Sequence, residues 1–339
     1  TQGYSSAASD VYKRQIRSYS KNKPYSGYYV STKLWVGDYV NGETFEELGQ
    51  RATGIERIAV MRADVDNLGQ AFVRGFENEK NGSKYVTLSR TATFSRKLSM
   101  FFKYHINSLL KEGGYSILEE EVQMEKEDDR RNALIVYSGG DDIFIVGAWD
   151  DIIGFAVDLH DNLMEYSQDT LKISAGIGIY PPKYPISIMA RETGRLEEAA
   201  KSVEGKNAVA LFDEKYTFPW EEFIENVVEE KLYFIQKYFK VVDEKGKNFL
   251  YNLLELVRKR KEDKINIARF AYLLGRMEPK VQRGEKKEEI EEKRDLHREF
   301  SRKMYEWIRV EKDAKELEMA IYLYVYTKRE KEEHDGVNE

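Results

Sequence analysis

The fold is decided by one stretch of the chain, Tyr137-Ser138-Gly139-Gly140-Asp141-Asp142-Ile143-Phe144-Ile145-Val146. It places two adjacent carboxylates at a glycine turn, with apolar runs on either side at residues 134–137 and 143–146. Such runs favour paired strands, and glycine can adopt the positive φ values that a tight hairpin needs. The sequence therefore predicts a rigid β-hairpin with a metal-binding tip, although an ordinary turn rich in aspartate would have the same local pattern.

A second acidic motif lies upstream, where residues 58–69 have the pattern of a buried strand that ends in Asp64, Val65 and Asp66. Two divalent cations about 3.5–4 Å apart need carboxylates from separate elements, and neighbouring strand ends supply them if this strand pairs with the hairpin. The side chain of Asp64 would then point in the same direction as those of the hairpin aspartates, Asp141 and Asp142. Val65 would face the core and offer only its backbone carbonyl as a ligand. The position of Asp66 fits either a metal ligand or the N-cap of the next helix.

The remaining pattern up to residue 213 predicts one domain around these motifs. Apolar residues recur at steps of three or four over residues 94–109, 152–163 and 189–203, which indicates helices. Strands are predicted at residues 171–180, where two prolines would stop the strand, and at 207–212. The order strand-helix-strand-strand-helix-strand-helix-strand contains the split βαβ arrangement of ferredoxin-like folds. We therefore predict an α+β protein with a ferredoxin-like palm, the sheet of nucleotide cyclases and polymerases.

Beyond about residue 218 the pattern becomes helical, and four or five helices are predicted to form a second, C-terminal domain over residues 218–339. Basic and acidic residues alternate between residues 277 and 303, which is typical of a solvated helix. The net charge of -6 predicts no large basic surface for nucleic acid. Any contact with RNA is therefore expected to be local or to come through partner subunits.

The N-terminal region has two parts of different character. Residues 1–15 are small, polar and without a pattern, so we interpret them as a non-native remnant that follows a truncation. Residues 16–54 are rich in tyrosine and glycine and are interpreted as the end of a linker domain, ahead of a palm over residues 55–213. The chain contains no cysteine, which excludes disulfides and thiolate metal sites. With no long apolar run and no signal sequence, a soluble, cytoplasmic protein is expected.

Four motifs in this order resemble the second palm domain of the large subunit of type III CRISPR effector complexes, most closely the Csm type. They are residues 62–69, residues 137–142, the run Ser174-Ala175-Gly176-Ile177-Gly178, and residues 196–201 followed by Gly205-Lys206-Asn207. Diguanylate cyclases share the frame more distantly, with the turn Gly-Gly-Asp/Glu-Glu-Phe. Asp142 and Ile143 depart from that turn, which argues against cyclic di-GMP chemistry.

The resemblance implies an enzyme that converts ATP to cyclic oligoadenylate with two Mg²⁺ or Mn²⁺ ions per site. It also implies partner subunits, CRISPR RNA and an activating target RNA, while the lack of a long apolar run predicts no membrane partner. Asp64, Asp141 and Asp142 would be catalytic and would bind metal together with the carbonyl of Val65. The predicted nucleotide-binding residues are Asn67, Ser138, Gly139, Gly140, Lys201 and Lys206. Lys201 follows the helix motif that in related cyclases places a lysine on phosphate, although each lysine could also be simply solvated.

The resemblance further implies a zinc-binding cysteine cluster, a first palm and a His-Asp nuclease domain, none of which is visible in this sequence. The only His-Asp pairs are His160-Asp161 and His334-Asp335, and neither is expected to form a nuclease site. Activity is expected to need the missing N-terminal half and the complex. The alternatives are a diguanylate cyclase-type enzyme and a catalytically silent palm with a structural role, which the three intact aspartates disfavour.

Overall fold

The computed structural model describes residues 17–22, 30–77, 80, 82–118, 130–242, 248–261, 263, 265–279 and 287–329. Residues 1–15, interpreted above as a remnant, lie outside the described residues, as do His334 and Asp335. Strands β1 (Arg17–Lys21) and β2 (Val30–Leu34) pair in parallel as a small separate sheet. The predicted boundaries at residues 16–54, 55–213 and 218–339 stay predictions.

A six-stranded sheet forms the centre of the palm. Its strands are β3 (Ile58–Val65), β4 (Ala133–Ser138), β5 (Asp142–Ala148), β6 (Ile173–Tyr180), β7 (Ala208–Leu211) and β8 (Thr217–Pro219), in the spatial order β4-β5-β3-β6-β7-β8. Strand β3 is antiparallel to both β5 and β6, and β7 is parallel to β6. The first four strands therefore have the ferredoxin-like order, which confirms the predicted fold class. The sequence pattern missed β8, because helical character was expected from about residue 218.

Helices cover both faces of this sheet. They are α1 (Phe45–Arg51), α2 (Leu68–Arg74), α3 (Leu88–Met100), α4 (Ile106–Glu112), α5 (Trp149–Ser167) and α6 (Ile186–Lys201), with a π-helical turn at Phe101–His105 between α3 and α4. Alternate residues of β3 point to opposite faces. Met61 and Val65 join the large core that contains Phe155 of α5, whereas Val60 packs in a smaller cluster with Leu48 of α1 and Met189 of α6.

The C-terminal part is helical, as predicted. A π-helix (Glu222–Leu232) leads into α7 (Tyr233–Val241), α8 (Asn248–Arg258), a 3₁₀ turn (Lys259–Lys261), α9 (Ile265–Gly275), α10 (Lys287–Arg309) and α11 (Glu311–Lys328). Its buried side chains, such as Phe300 and Leu323, belong to the same apolar cluster as Phe155 and Met61 of the palm. The two parts therefore share one core. Among the described helices, none combines the length and the apolar character needed to cross a membrane.

The hairpin between β4 and β5 forms as predicted, but the expected reason for its glycines was wrong. Neither Gly139 nor Gly140 has a positive φ. A Cβ atom on Gly139 would lie 2.6 Å from Oδ1 of Asp142 and would also collide with the hydroxyl of Tyr137. The nearest atom to a Cβ on Gly140 would be 4.0 Å away, on Ser99. Gly139 is therefore needed for a close approach of side chains, and Gly140 has open space around it.

Candidate active site

The acidic ends of two neighbouring strands meet at one end of the palm sheet. Asp64 of β3 lies directly opposite Asp142 of β5 in the antiparallel register. The backbone N–H of Val65 donates to the carbonyl of Asp141 at 3.1 Å, which holds the hairpin tip against the end of β3. The side chain of Val65 is buried in the core, as expected. The pairing on which the predicted site depends is thus present.

Helix α6 brings a lysine to the same place. The Nζ atom of Lys201 lies 2.6 Å from Oδ2 of Asp64 and 2.6 Å from Oε1 of Glu197, one turn earlier on α6. Both partners of the Lys201–Asp64 pair are partly exposed, with 29% and 24% of the side-chain surface accessible. Lys201 is therefore part of the acidic site and not a solvated surface residue. Glu197 lies in the motif at residues 196–201, but nothing in the sequence showed its contact with Lys201, because a buried glutamate and an exposed one look alike in a helical pattern.

The three carboxylates influence one another electrostatically. Partial burial raises the pKa of Asp141, and the nearby charges of Asp64 and Asp142 raise it further, while Lys201 acts in the opposite direction. Burial alone would lower the pKa of Lys201, but its hydrogen bonds to Asp64 and Glu197 outweigh that effect and the pKa is raised. The site therefore carries more negative charge than Lys201 alone can neutralise. An added cation would lower the electrostatic energy.

Tyr137 is a site residue that the sequence interpretation missed. A β-bulge between Ile135 and Tyr137 changes the register of β4, so that Tyr137 pairs with Phe144, two residues beyond Asp142 on β5. The charge of Asp142 raises the pKa of the Tyr137 phenol, and the two side chains are hydrogen-bonded. Because the bulge shifts the alternation of side chains, no period-2 pattern could have shown that Tyr137 reaches this carboxylate.

Asp66 does not cap helix α2, whereas its other predicted role, as a metal ligand, stays a prediction. The residue at the N-cap of α2 is Asn67, and no side chain caps that helix. The Oδ2 atom of Asp66 instead accepts hydrogen bonds from the hydroxyl of Ser174 at 2.9 Å and from the backbone N–H of Asn207 at 3.0 Å. Asp66 is 7% exposed and ties the end of β3 to β6 and to the segment before β7. The N-cap role was wrong, because the chain leaves β3 through a left-handed residue at Asn67.

The other predicted nucleotide-binding residues are divided between the two faces of the sheet. The side-chain oxygen of Asn67 accepts from Nζ of Lys206 at 2.8 Å, so these two residues lie together beside the acidic end. Ser138 pairs with Ile143, a residue of the large core on the other face. Its hydroxyl donates to the carbonyl of Phe102 in the π-helical turn. Ser138 therefore supports the hairpin from behind and does not line the acidic site.

The donor set at the acidic end fits a hard divalent cation. Asp64, Asp141 and Asp142 offer only oxygen ligands, and Mg²⁺ and Mn²⁺ prefer carboxylate and carbonyl oxygens. In the described parts of the chain, no three or more His, Cys, Asp or Glu side chains stand close enough together to hold a metal ion as they are placed. Lys201 pairs with Oδ2 of Asp64, so binding of a cation through that oxygen would require this ion pair to open.

His160 has a different environment from the acidic site. Its ring is 8% exposed and stacks on Trp220, with the two ring centroids 5.0 Å apart. Its Nδ1 atom lies 2.7 Å from Oδ1 of the neighbouring Asp161. These contacts belong to the core between α5 and the start of the helical part.

Comparison with known proteins identifies both parts of the chain. The family described as Cas10/Cmr2, second palm domain, matches residues 57–210. The family described as CRISPR RNA silencing complex Cmr2 subunit, second helical domain, matches residues 236–330.

Individual relatives agree. The chain is 46% identical over 319 residues to the CRISPR system single-strand-specific deoxyribonuclease Cas10/Csm1 (subtype III-A) of Mycobacterium tuberculosis, covering 93% of this chain and 37% of that protein. A chain in the crystal structure of a Csm1-Csm4 cassette in complex with AMPPNP is 26% identical to this chain, with a TM-score of 0.58. The match covers 90% of this chain and 43% of the solved chain. A chain in a second Csm1-Csm4 structure, in complex with pppApA, is 25% identical with a TM-score of 0.59. That match covers 91% of this chain and 42% of the solved chain.

This chain thus spans less than half the length of each of these proteins. The two matched families cover the palm and most of the helical part, respectively. The chain belongs to the Cas10 family, the large subunits of type III CRISPR complexes, in the part that carries the second palm and the second helical domain.

Proposed function

We propose that this chain supplies a metal-dependent nucleotidyltransferase site that joins ATP molecules into cyclic oligoadenylate within a type III CRISPR complex. The single observation that carries this proposal is the meeting of Asp64, Asp141 and Asp142 at one end of a palm sheet, with Lys201 against them. A palm with paired carboxylates and an adjacent cationic side chain suits phosphoryl transfer, in which charge neutralisation and positioning are the main tasks.

The solved relatives support adenine nucleotides as substrates. One Csm1-Csm4 cassette binds AMPPNP, an ATP analogue, and another binds pppApA, a linear product of two adenylates. Both include Csm4, so the proposal extends to other subunits of the complex as partners, with CRISPR RNA and target RNA bound through them. The turn at Asp142 and Ile143 remains the main argument against a diguanylate cyclase.

Each joining step of the proposed reaction forms one bond and breaks another. A ribose hydroxyl of one ATP forms a bond to the α-phosphorus of a second ATP, the bond from that phosphorus to the β-phosphate oxygen breaks, pyrophosphate leaves, and the hydroxyl proton passes to solvent. Bound Mg²⁺ or Mn²⁺ would lower the pKa of the attacking hydroxyl and neutralise the triphosphate.

The residues of the chain divide this work. Asp64, Asp141 and Asp142 would hold the metal ions, with the carbonyl of Val65 as a further oxygen ligand. Lys201 would place its ammonium group against the triphosphate, and Lys206 lies at the neighbouring position beside Asn67. The backbone at Gly139 and Gly140 would allow the nucleotide to approach the hairpin tip closely.

A product assay tests the proposal. The complex that contains this chain is incubated with cognate RNA, Mg²⁺ or Mn²⁺, and either ATP or GTP, and the products are identified by mass spectrometry. We expect cyclic oligoadenylates from ATP and no cyclic dinucleotide from GTP. Cyclic di-GMP as the main product would favour the diguanylate cyclase, and no product from either nucleotide would favour a palm with a structural role.

For the isolated chain we predict ATP binding without much product. Ring formation needs an acceptor and a donor nucleotide held in line, and the resemblance places the acceptor in a first palm that this sequence does not show. Calorimetry should therefore find about one ATP per chain, lost on chelation of the metal and unchanged by RNA. Vigorous RNA-independent synthesis by this chain would contradict the half-site, unless the chain were shown to dimerise through its palms.

A further inference from the structure

Four charged side chains form a network of three ion pairs between β3 and α6. Arg62 and Asp64 are two residues apart on the strand, and Glu197 and Lys201 are four residues apart on the helix. These spacings match, at about 6.8 Å along a strand and about 6 Å along a helix. As a result Arg62 faces Glu197, with 3.1 Å between Nε and Oε2, and Asp64 faces Lys201 at 2.6 Å. The charges alternate in sign along this network, from Arg62 through Glu197 and Lys201 to Asp64.

The packing of α6 keeps this ion-pair network in place. A Cβ atom on Gly176 of β6 would lie 2.6 Å from the carbonyl oxygen of Thr193, so this glycine lets α6 approach the sheet closely. A Cβ atom on Gly194 would lie 2.9 Å from Nη1 of Arg62, so the second glycine leaves room for the guanidinium. The side chain of Glu197 is only 10% exposed and uses both of its oxygens, one for Arg62 and one for Lys201.

The side chains of this ion-pair network differ in their freedom to move. Glu197 is enclosed and held by Arg62 from one side, whereas Lys201 reaches it along a flexible side chain and contacts two carboxylates at the same distance. If a metal ion replaces Lys201 at Oδ2 of Asp64, Lys201 loses one of these two partners and keeps the other. Glu197 is the one carboxylate in this network that lies outside the proposed set of metal ligands.

From this geometry we propose that Glu197 is a positioning residue that keeps Lys201 at the site in two states, without metal and with metal and nucleotide bound. Without a metal ion, Lys201 neutralises Asp64. With metal and nucleotide bound, Lys201 leaves Asp64 but stays on Glu197, where its ammonium group can meet the triphosphate. Arg62 acts behind Glu197 and fixes its carboxylate. This inference rests on the proposed function and adds to it a residue that touches neither metal nor substrate.

The first test measures binding of Mn²⁺ to the purified chain by electron paramagnetic resonance, without nucleotide. Lys201→Met removes the cation that competes for Asp64, so it should strengthen Mn²⁺ binding. Glu197→Gln removes the second carboxylate partner of Lys201, so that Lys201 stays on Asp64. The change should therefore weaken Mn²⁺ binding by about threefold to tenfold. In the double variant the effect of Glu197→Gln should largely disappear, because Glu197 acts through Lys201. Glu198→Gln, the same change on the exposed neighbouring residue, is the matched control and should have little effect.

A second variant separates position from charge. Glu197→Asp keeps the negative charge but withdraws it from Lys201 by one methylene group. It should weaken Mn²⁺ binding nearly as much as Glu197→Gln, and both should weaken binding of AMPPNP with Mg²⁺ more than binding of adenosine. Circular dichroism and thermal unfolding check that each variant is folded, and the aspartate variant stands in if the glutamine variant is not.

The outcomes distinguish this inference from the proposed function. If the wild-type chain binds no Mn²⁺, the proposed metal site fails and the inference fails with it. If the wild-type chain binds Mn²⁺ but the losses from Glu197→Gln are the same with and without Lys201, the positioning role alone is overturned. A Glu197→Asp variant that binds like wild type would also overturn it, because the charge would then matter without its position.

Discussion

Two lysines of this chain make ion pairs of the same length in very different surroundings. Lys201 in the palm lies 2.6 Å from Asp64, and Lys231 in the π-helix lies 2.6 Å from Glu316 of α11. Both members of the Lys231–Glu316 pair have no exposed side-chain surface, whereas Lys201 and Asp64 keep 29% and 24%. Lys231 is also within 3.6 Å of Asp313 and lies over the ring of Trp307.

The comparison shows that exposure, and not distance, separates a structural ion pair from one that can exchange partners. A buried pair cannot open without leaving a charge in the core, so Lys231 and Glu316 hold the π-helix against α11. The palm pair can be replaced by a metal ion or a phosphate from solvent at small cost, since exposed pairs contribute little to stability. The predictions below test this distinction.

The largest effect is expected at the hairpin tip. The double change Asp141→Ala and Asp142→Ala should abolish oligoadenylate synthesis by the complex and Mn²⁺ binding by the chain. The fold should remain, because these side chains lie at a partly exposed turn, and removing charges that repel one another should not lower the thermal midpoint. Product formation at the wild-type rate would show that the metal assignment is wrong.

The neighbouring acidic residues Asp64 and Asp66 should respond in different ways. Asp64→Asn should lower turnover by orders of magnitude with little change in the thermal midpoint, because it removes a metal ligand. Asp66→Asn should mainly lower the thermal midpoint, at a cost of about 1–3 kcal/mol, because the carboxylate holds Ser174 and Asn207 together. Turnover assays and thermal unfolding of both variants provide the check. Equal catalytic losses would mean that Asp66 also binds metal.

The two lysines test the comparison directly. Lys231→Met leaves Glu316 charged and buried, so it should destabilise the chain by about 3–5 kcal/mol in denaturant unfolding. Lys201→Met should cost less than about 1 kcal/mol. Binding of AMPPNP with Mg²⁺ should show the reverse order, with a clear loss for Lys201→Met and none for folded Lys231→Met. A similar loss of stability for both variants would remove the distinction drawn from exposure.

The smallest expected effect is a shift in pH dependence. The pKa of Asp141 is raised by partial burial and by the charges of Asp64 and Asp142. Its protonated form is therefore favoured in the folded, metal-free chain, so its contribution to stability is present at low pH and is lost as the pH rises through the folded-state pKa. Protons should likewise compete with Mn²⁺ at a higher pH than for an ordinary aspartate.

A titration of Mn²⁺ affinity against pH checks this point. The wild-type affinity should begin to fall, on acidification, above the pH at which a free aspartate titrates, and Asp141→Asn should remove that part of the profile. An unchanged profile in the variant would assign the effect to another carboxylate.

Much of this molecule could be predicted from short-range patterns. The hairpin around Gly139 and Gly140, the strand that ends at Asp64 and the ferredoxin-like order follow from apolar periodicity and turn residues, because these act over a few positions of the chain. The opposite placement of Asp64 and Asp142 also followed, since two adjacent antiparallel strands bring such ends together. The identity of the family rested on four motifs in order.

What the tertiary structure alone decided depends on contacts between residues far apart in sequence. It placed Glu197 between Arg62 and Lys201, turned Ser138 to the back of the hairpin, and paired Asp66 with Ser174 and Asn207. A bulge in β4 and a left-handed residue at Asn67 change side-chain direction without any change in hydrophobic pattern. The sequence by itself determined which groups carry charge and which segments form strands. The close packing of α6 on β3 and β6 decided which of those charges meet. Gly176 of β6 and Gly194 of α6 allow this close approach of the helix to the strands.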